Sequence, residues 1–198
     1  MKDLKLKIEL LPKGAWGNDF SRTLCKKDWD ILRNACYERA NHKCAICGYE
    51  TDDLDAHEVW DFNTETKTQT LIDIIALCSR CHGVKHIRNS QRLGFGENAK
   101  RHFMKVNNCN ELQFATHLTK AQMDFEERNK IYRWKMIANL EKFGGKDIKI
   151  KEVYISLILF PNSSSITNLA SYLTCKASAI SYKSFSVKLF RNNLLDRF

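Results

Sequence analysis

No stretch of this 198-residue chain reaches the roughly 18 consecutive apolar residues that a membrane-crossing helix needs. No secretory signal stands ahead of its cysteines, and there is neither an internal repeat nor a long low-complexity segment. Acidic residues are in deficit, 23 Asp+Glu against 32 Lys+Arg, for a formal net charge of +9. The first absence argues against a membrane-spanning helix. The second argues against a secreted, disulfide-framed domain and leaves the expectation of a soluble, cytoplasmic protein with reduced cysteines. The acid deficit points to a polyanionic partner, because excess positive charge raises the local phosphate concentration and speeds encounter. The length allows one or two domains with a moderate core, and 43% hydrophobic and 11% aromatic content is ordinary for a globular chain.

Four of the eight cysteines fall in two pairs, Cys44-Ala-Ile-Cys47 and Cys78-Ser-Arg-Cys81. A two-residue gap lets one tight turn aim two thiolates at one ion, and two such turns complete a tetrahedral shell for zinc at about 2.3 Å per sulfur. The other four, Cys25, Cys36, Cys109 and Cys175, are scattered. Rubredoxin-type iron would use the same four sulfurs, but it would leave His57, His82 and His86 without a reason, so zinc is the first choice.

Between the pairs lies Leu54-Asp-Ala-His-Glu-Val-Trp60, and the second pair runs from Ile75-Ala-Leu-Cys-Ser-Arg-Cys-His-Gly-Val-Lys-His86. Together with Cys-Ala-Ile-Cys-Gly at 44–48, these motifs resemble the HNH (ββα-metal) nuclease family, in the branch where two CxxC knuckles staple the nuclease motif. The flanks Pro12 to Arg33 and Arg101 to Gly144 are similar to the helical surroundings of bacterial HNH proteins, so the resemblance covers about three quarters of the chain. It implies an α+β fold: a small ββα-metal core at 41–90, stapled by the four-cysteine zinc site and surrounded by helices within residues 1–145. A small C-terminal α/β appendage would follow at 146–198. The implied activity is hydrolysis of phosphodiester bonds in DNA, most readily double-stranded, by a protein bacterial or phage in character, with room for a homodimer or an accessory protein.

The residues support a second metal site. Leu54 to Trp60 alternates as a short strand with Asp55 and His57 on one face and Ala56 and Glu58 on the other. His82 and His86 are four apart, which on a helix stacks both imidazoles on one face. His57 would supply the third ligand to a divalent ion (Mg2+, Mn2+, Ni2+ or Zn2+), leaving positions open for water and a scissile phosphate. Taken alone, His57 reads as a half-buried strand histidine bonded to Asp55; its place between the knuckles makes it a ligand candidate. Alignment on the family's double-histidine form puts Glu58 in the general-base position. The Asp-His form would need an acid where Ala56 stands. Glu58 is then either a working base or a sign against ordinary activity. The family's hairpin-orienting Asn corresponds to Asp73.

A basic stretch, Lys85, Arg88, Arg92, Lys100, Arg101 and Lys105 against the single acid Glu97, begins beside this site and is where phosphates are expected. Its duller reading is a solvated helix and loop. His42, His102 and His117 have no partners at metal spacing and read as structural or surface residues. Two rival functions remain: a zinc-stapled nucleic-acid-binding or adaptor protein whose nuclease site has decayed at Ala56, Glu58 and Asp73, and a protein-binding zinc module.

The remaining elements follow from periodicity. Asp28 is placed to cap a helix through Trp29, Leu32, Cys36 and Ala40. Phe62 to Thr70 reads as a loop or hairpin tip, and Leu71 to Leu77 as an apolar run delivering Cys78. Ala99 to Val106, Glu111 to Thr119 and Ala121 to Phe143 read as helices, the last with a core stripe of Ile131, Trp134, Ile137 and Leu140 and a stop at Gly144-Gly145. Val153 to Phe160 reads as a strand, Pro161-Asn-Ser-Ser-Ser as a breaker, and Ile166 to Ser181 as a helix-turn-helix-like segment with Lys176, Lys183, Lys188 and Arg191 available to phosphate.

Overall fold

A computed structural model describes residues 4–148. The strand and helix-turn-helix-like segment expected from Val153 onward lie outside the described residues.

Alternating apolar positions around a short turn produce the centre of the fold, an antiparallel hairpin of β1 (Leu54–Asn63) and β2 (Thr68–Cys78). Both strands extend further than the sequence suggests: the tip is only Asn63 to Thr68, with Asn63 Oδ1 accepting the Thr66 amide at 2.9 Å and Lys67 at φ 55°. The register shifts between Val59 and Trp60, which face Asp73 and Leu71, so Ile72 is the extra residue of a bulge and stands 55% exposed. A third strand, β3 (Lys135–Ile137), pairs parallel to β2 and completes the order β1-β2-β3.

Six helices surround this sheet among the described residues: α1 (Phe20–Thr23), α2 (Lys26–Arg39), α3 (Ser79–Lys85), α4 (Ile87–Arg92), α5 (Gly96–Asn107) and α6 (Glu111–Asn129). The cap of α2 is Cys25, and Asp28 falls in its first turn, where the carboxylate still faces the positive end of the helix. The expected break near residue 120 does not occur, and α6 runs continuously from a capping box in which Asn110 and Gln113 exchange hydrogen bonds at 2.9 Å. Its end at Asn129 corrects the expected helix through Phe143. Trp134 and Leu140 are buried, but Ile137 is 45% exposed because this stretch is β3 followed by a 3-10 turn at Leu140–Phe143, and strand pairing replaces the helical period. Gly144, at φ 95°, ends that turn, and a Cβ there would lie 2.9 Å from the Ala35 Cβ.

Apolar residues collect into two clusters. One holds Leu77, Val84, Ile87, Phe103, Phe114 and Phe125 around the sulfurs of Cys44, Cys78 and Cys81. The other packs Phe20, Leu32, Cys36, Ile74, Ala76 and Phe143. The N-terminal segment is laced to the first cluster through polar groups: the buried Asn107 side chain accepts the Leu6 amide at 3.0 Å and donates to the Leu6 carbonyl at 2.9 Å. His117 Nε2 accepts the Ile8 amide at 2.9 Å while its ring stacks on Phe103.

His117 must be neutral to accept that bond, and burial, with Lys7 and Lys120 nearby, holds it below the ordinary 6.5. The unfolded chain therefore takes up protons first, so this contribution is complete above about pH 6.5 and is lost as pH falls toward the depressed folded value. Urea unfolding of wild type and His117→Gln at pH 7.5 and 5.5 checks this. Wild type is expected to lose more stability on acidification than the variant, and equal losses would mean that the Ile8–His117 bond contributes no pH dependence.

Candidate metal centre

Each cysteine reaches the cluster by a different local device. Cys44 and Cys47 sit on a turn fixed at both ends, with Cys44 N donating to Tyr49 O at 2.9 Å and Ala45 N to Ala76 O at 2.8 Å. The turn closes at Gly48, whose φ of 73° is the left-handed conformation that a side chain resists. Cys78 ends β2 and is the N-cap of α3, and Cys81 lies in that helix's first turn. The four Sγ atoms fall within 4.8 Å of one another, with Cys47 and Cys78 3.7 Å apart. Four sulfurs at about 2.3 Å from zinc would sit about 3.8 Å from each other, so this set fits a tetrahedral ion. The seven cysteines among the described residues form no disulfide, and 3.7 Å is far beyond one. A hydrogen bond from Cys81 and the surrounding backbone amides bring the Cys44 thiol down to about 4, ready to bind as thiolate, while the Cys81 thiol is pushed up. His102, expected to be without a partner in this site, lies 3.1 Å from Cys81 Sγ. Its approach from α5, 21 residues away, left no signal in local spacing.

Immediately after Cys81, α3 carries His82, and His86 closes its C-terminus with its amide donating to His82 O at 3.1 Å. His57 comes from β1, opposite Ile75. The structure brings these three histidines together: their ligand nitrogens lie within 4.8 Å of one another and their ring centroids 4.8 to 5.3 Å apart, in edge-on pairs. Asp55 does not bond His57 but meets His82 Nδ1 at 2.8 Å. His57 Nε2 instead meets Glu9 Oε2 at 2.8 Å. Carboxylates on two of the rings fix their orientation and leave the other nitrogen of each ring free, the usual outer support of a metal-bound histidine. Burial and the two neighbouring histidines hold His86 down to about 4, and burial also lowers His82 against the pull of Asp55, so both are neutral and able to donate a lone pair at pH 7.

Glu9 is the residue that sequence reading missed. Its amide donates to Lys85 O at 3.1 Å, and its carboxylate takes both His57 and the Lys85 ammonium. Burial alone would raise its pKa, but those two partners hold it below the usual carboxylate value. The same contact corrects Lys85, expected to meet phosphate: the side chain is only 5% exposed and is used inside. Lys100 is likewise engaged by Glu111 at 2.9 Å. Arg88, Arg92, Arg101 and Lys105 remain exposed, Arg88 over the Phe125 ring and bonded to Gln122, Arg92 and Arg101 bonded to Asn89 and Asn98.

The histidines open into a cleft of about 560 Å³ whose other wall is the loop from Leu11 to Arg22, with Trp29, Trp60 and Gln69. Glu58 lines it too, its Oε1 accepting the Phe20 amide at 2.7 Å and its Oε2 the Trp60 indole N–H at 3.1 Å. Burial raises this carboxyl to about 7 despite the Phe20 amide. Asp73 is not part of the cleft lining: it accepts Arg39 at 2.8 Å and the Ile74 amide at 2.7 Å, bracing β2 beside the bulge. No helix among the described residues is long and apolar enough to cross a membrane. Compared with protein-family models, curated proteins and solved structures, the chain matches none.

Because the sulfurs tie together segments with little core of their own, stripping the metal is expected to unfold this region, with an apparent loss of about 10 kcal/mol or more. Cys44→Ser is expected to lose one zinc by elemental analysis and the cooperative thermal transition with it. His82→Ala, on the second cluster, is expected to keep both. Unchanged zinc content and melting in Cys44→Ser would refute the metal staple.

Proposed function

We propose that the chain is a metal-dependent endonuclease of the HNH kind, with zinc on Cys44, Cys47, Cys78 and Cys81 and a second divalent ion on His57, His82 and His86, hydrolysing phosphodiester bonds in DNA. The observation that carries this reading is the convergence of three histidines in one open cleft, two of them backed by carboxylates, directly beside the four-sulfur cluster. A divalent ion held there would polarise a phosphoryl oxygen and neutralise charge on the departing one. Asp55 and Glu9 orient the rings that hold it. Glu58, which lines the same cleft, would take a proton from the attacking water, and the Phe20 and Trp60 N–H groups stabilise it when ionised. Asp73, clamped by Arg39, stands in for the hairpin-orienting Asn. Arg88, Arg92, Arg101 and Lys105 are the exposed cations for flanking phosphates.

A second reading, a zinc-stapled nucleic-acid-binding or adaptor protein without catalysis, is favoured by Ala56 in place of an acid and by the commitment of both Glu58 oxygens to internal donors.

Nicking of supercoiled plasmid at low salt, with magnesium, manganese or nickel added in turn, decides between them. Wild type is expected to nick in a metal-dependent way. His82→Ala and Glu58→Gln are each expected to lose at least 100-fold, on the scale set by general acid–base catalysis, while keeping their fold. Folded wild type that binds DNA but never cleaves it would overturn the nuclease reading in favour of the second.

A further inference from the structure

Trp16 is 64% exposed, yet its ring is not free to swing: the indole N–H donates to Leu11 O at 3.1 Å, and its backbone amide closes the preceding turn on Lys13 O at 3.1 Å. An exposed aromatic ring held in place offers a flat face at low entropic cost. Trp16 and His86 also line a second, smaller cleft of about 200 Å³ that contains Arg88 and Asn89, while Arg22 lies in the larger one. A strand crossing the histidine cluster would therefore meet Trp16 between Arg22 and Arg88, the latter lying over the Phe125 ring and bonded to Gln122. On the larger side Asn18 donates to Gln69 Oε1 at 3.4 Å, and Trp60 is a second indole pinned through its N–H, to Glu58. Asp19, which pairs with Arg22 at 3.4 Å, is the acid a phosphate would have to displace.

We propose that this cleft receives one unpaired nucleotide of the substrate strand, its base stacked on the Trp16 indole and its two flanking phosphates directed toward Arg22 and Arg88. A base inside a duplex is already stacked on its neighbours and cannot lie flat on the Trp16 face, so the cleft, of about 560 Å³, takes its base unpaired. Stacking on an aromatic face tolerates any base, so the site selects the unpaired state rather than sequence. The strand therefore has to be single, frayed or locally unstacked where it is cut. This inference rests on the reading of the histidine cluster as a phosphodiester site, but base binding is measurable without cleavage.

The test is fluorescence titration of the full, zinc-loaded chain, without a second metal, by single-stranded oligothymidylate, an abasic strand of equal length and a duplex. Oligothymidylate is expected to quench tryptophan emission and to bind about tenfold tighter than the abasic strand. Trp16→Ala is expected to remove that advantage, and Trp16→Phe, which keeps an aromatic face, to restore most of it. Equal affinity for the abasic and base-bearing strands, or unaltered oligothymidylate binding by folded Trp16→Ala, overturns the proposal. Base-dependent binding in a protein that fails to nick plasmid leaves this inference standing and removes the hydrolytic reading alone. Nicking with base-independent binding does the reverse.

Discussion

Closure of four sulfurs is the constraint on which the rest of this structure depends. The turn at 44–48 contributes little beyond Cys44 to the apolar core, and α3 has only seven residues, too few to hold its own axis in water. What fixes both is the point where they meet, with Cys78 at the end of β2 and Cys81 one turn into the helix. Because His82 follows Cys81 directly, the rotation that points Cys81 at the cluster also sets the direction of His82, and His86 follows one turn later. The structural site thus sets the phase of the histidine site, so the two cannot shift independently.

A buried charge network performs the corresponding task from the other side. Glu9 reaches α3 through its backbone and its carboxylate together, and Lys85 is neutralised in the interior. A buried pair of this kind is weak support for stability, since desolvation offsets much of the attraction. Its geometric result is plainer: the N-terminal segment cannot leave without exposing His57 and stranding a buried ammonium. Asn107 and His117 hold the same segment at Leu6 and Ile8, three residues and one residue before Glu9.

What the sequence made legible was local. The paired cysteines, the four-residue spacing of His82 and His86, and the shared face of Asp55 and His57 are short-range facts that survive folding unchanged. Glu9 and His102 were invisible because their partners lie 48 and 21 residues away, and nothing in their neighbourhoods distinguishes them from surface groups. Lys85 was misread for the converse reason: a lysine amid other basic residues looks solvated until an acid from a distant segment arrives. The stripe Ile131, Trp134, Ile137, Leu140 failed because a threefold apolar spacing fits a helix only if the backbone groups pair locally, and here β2 offers them a strand to pair with.

The charge balance around the histidines carries the argument one step further. His82 and His86, held neutral by burial, contribute no charge, while Asp55 and Glu9 contribute two negative ones and Lys85 returns one positive. Burial and the two neighbouring histidines drive His86 down to about 4, and burial lowers His82, so these two rings are free of protons at pH 7. His57, His82 and His86 could each offer one lone pair to a divalent ion, which would balance the carboxylates through the histidines and could act on an anionic oxygen entering from the cleft. That is the condition under which a phosphate approaching past Trp16 would find positive charge at the end of its path, with Asp55 and Glu9 already engaged in holding the rings in place.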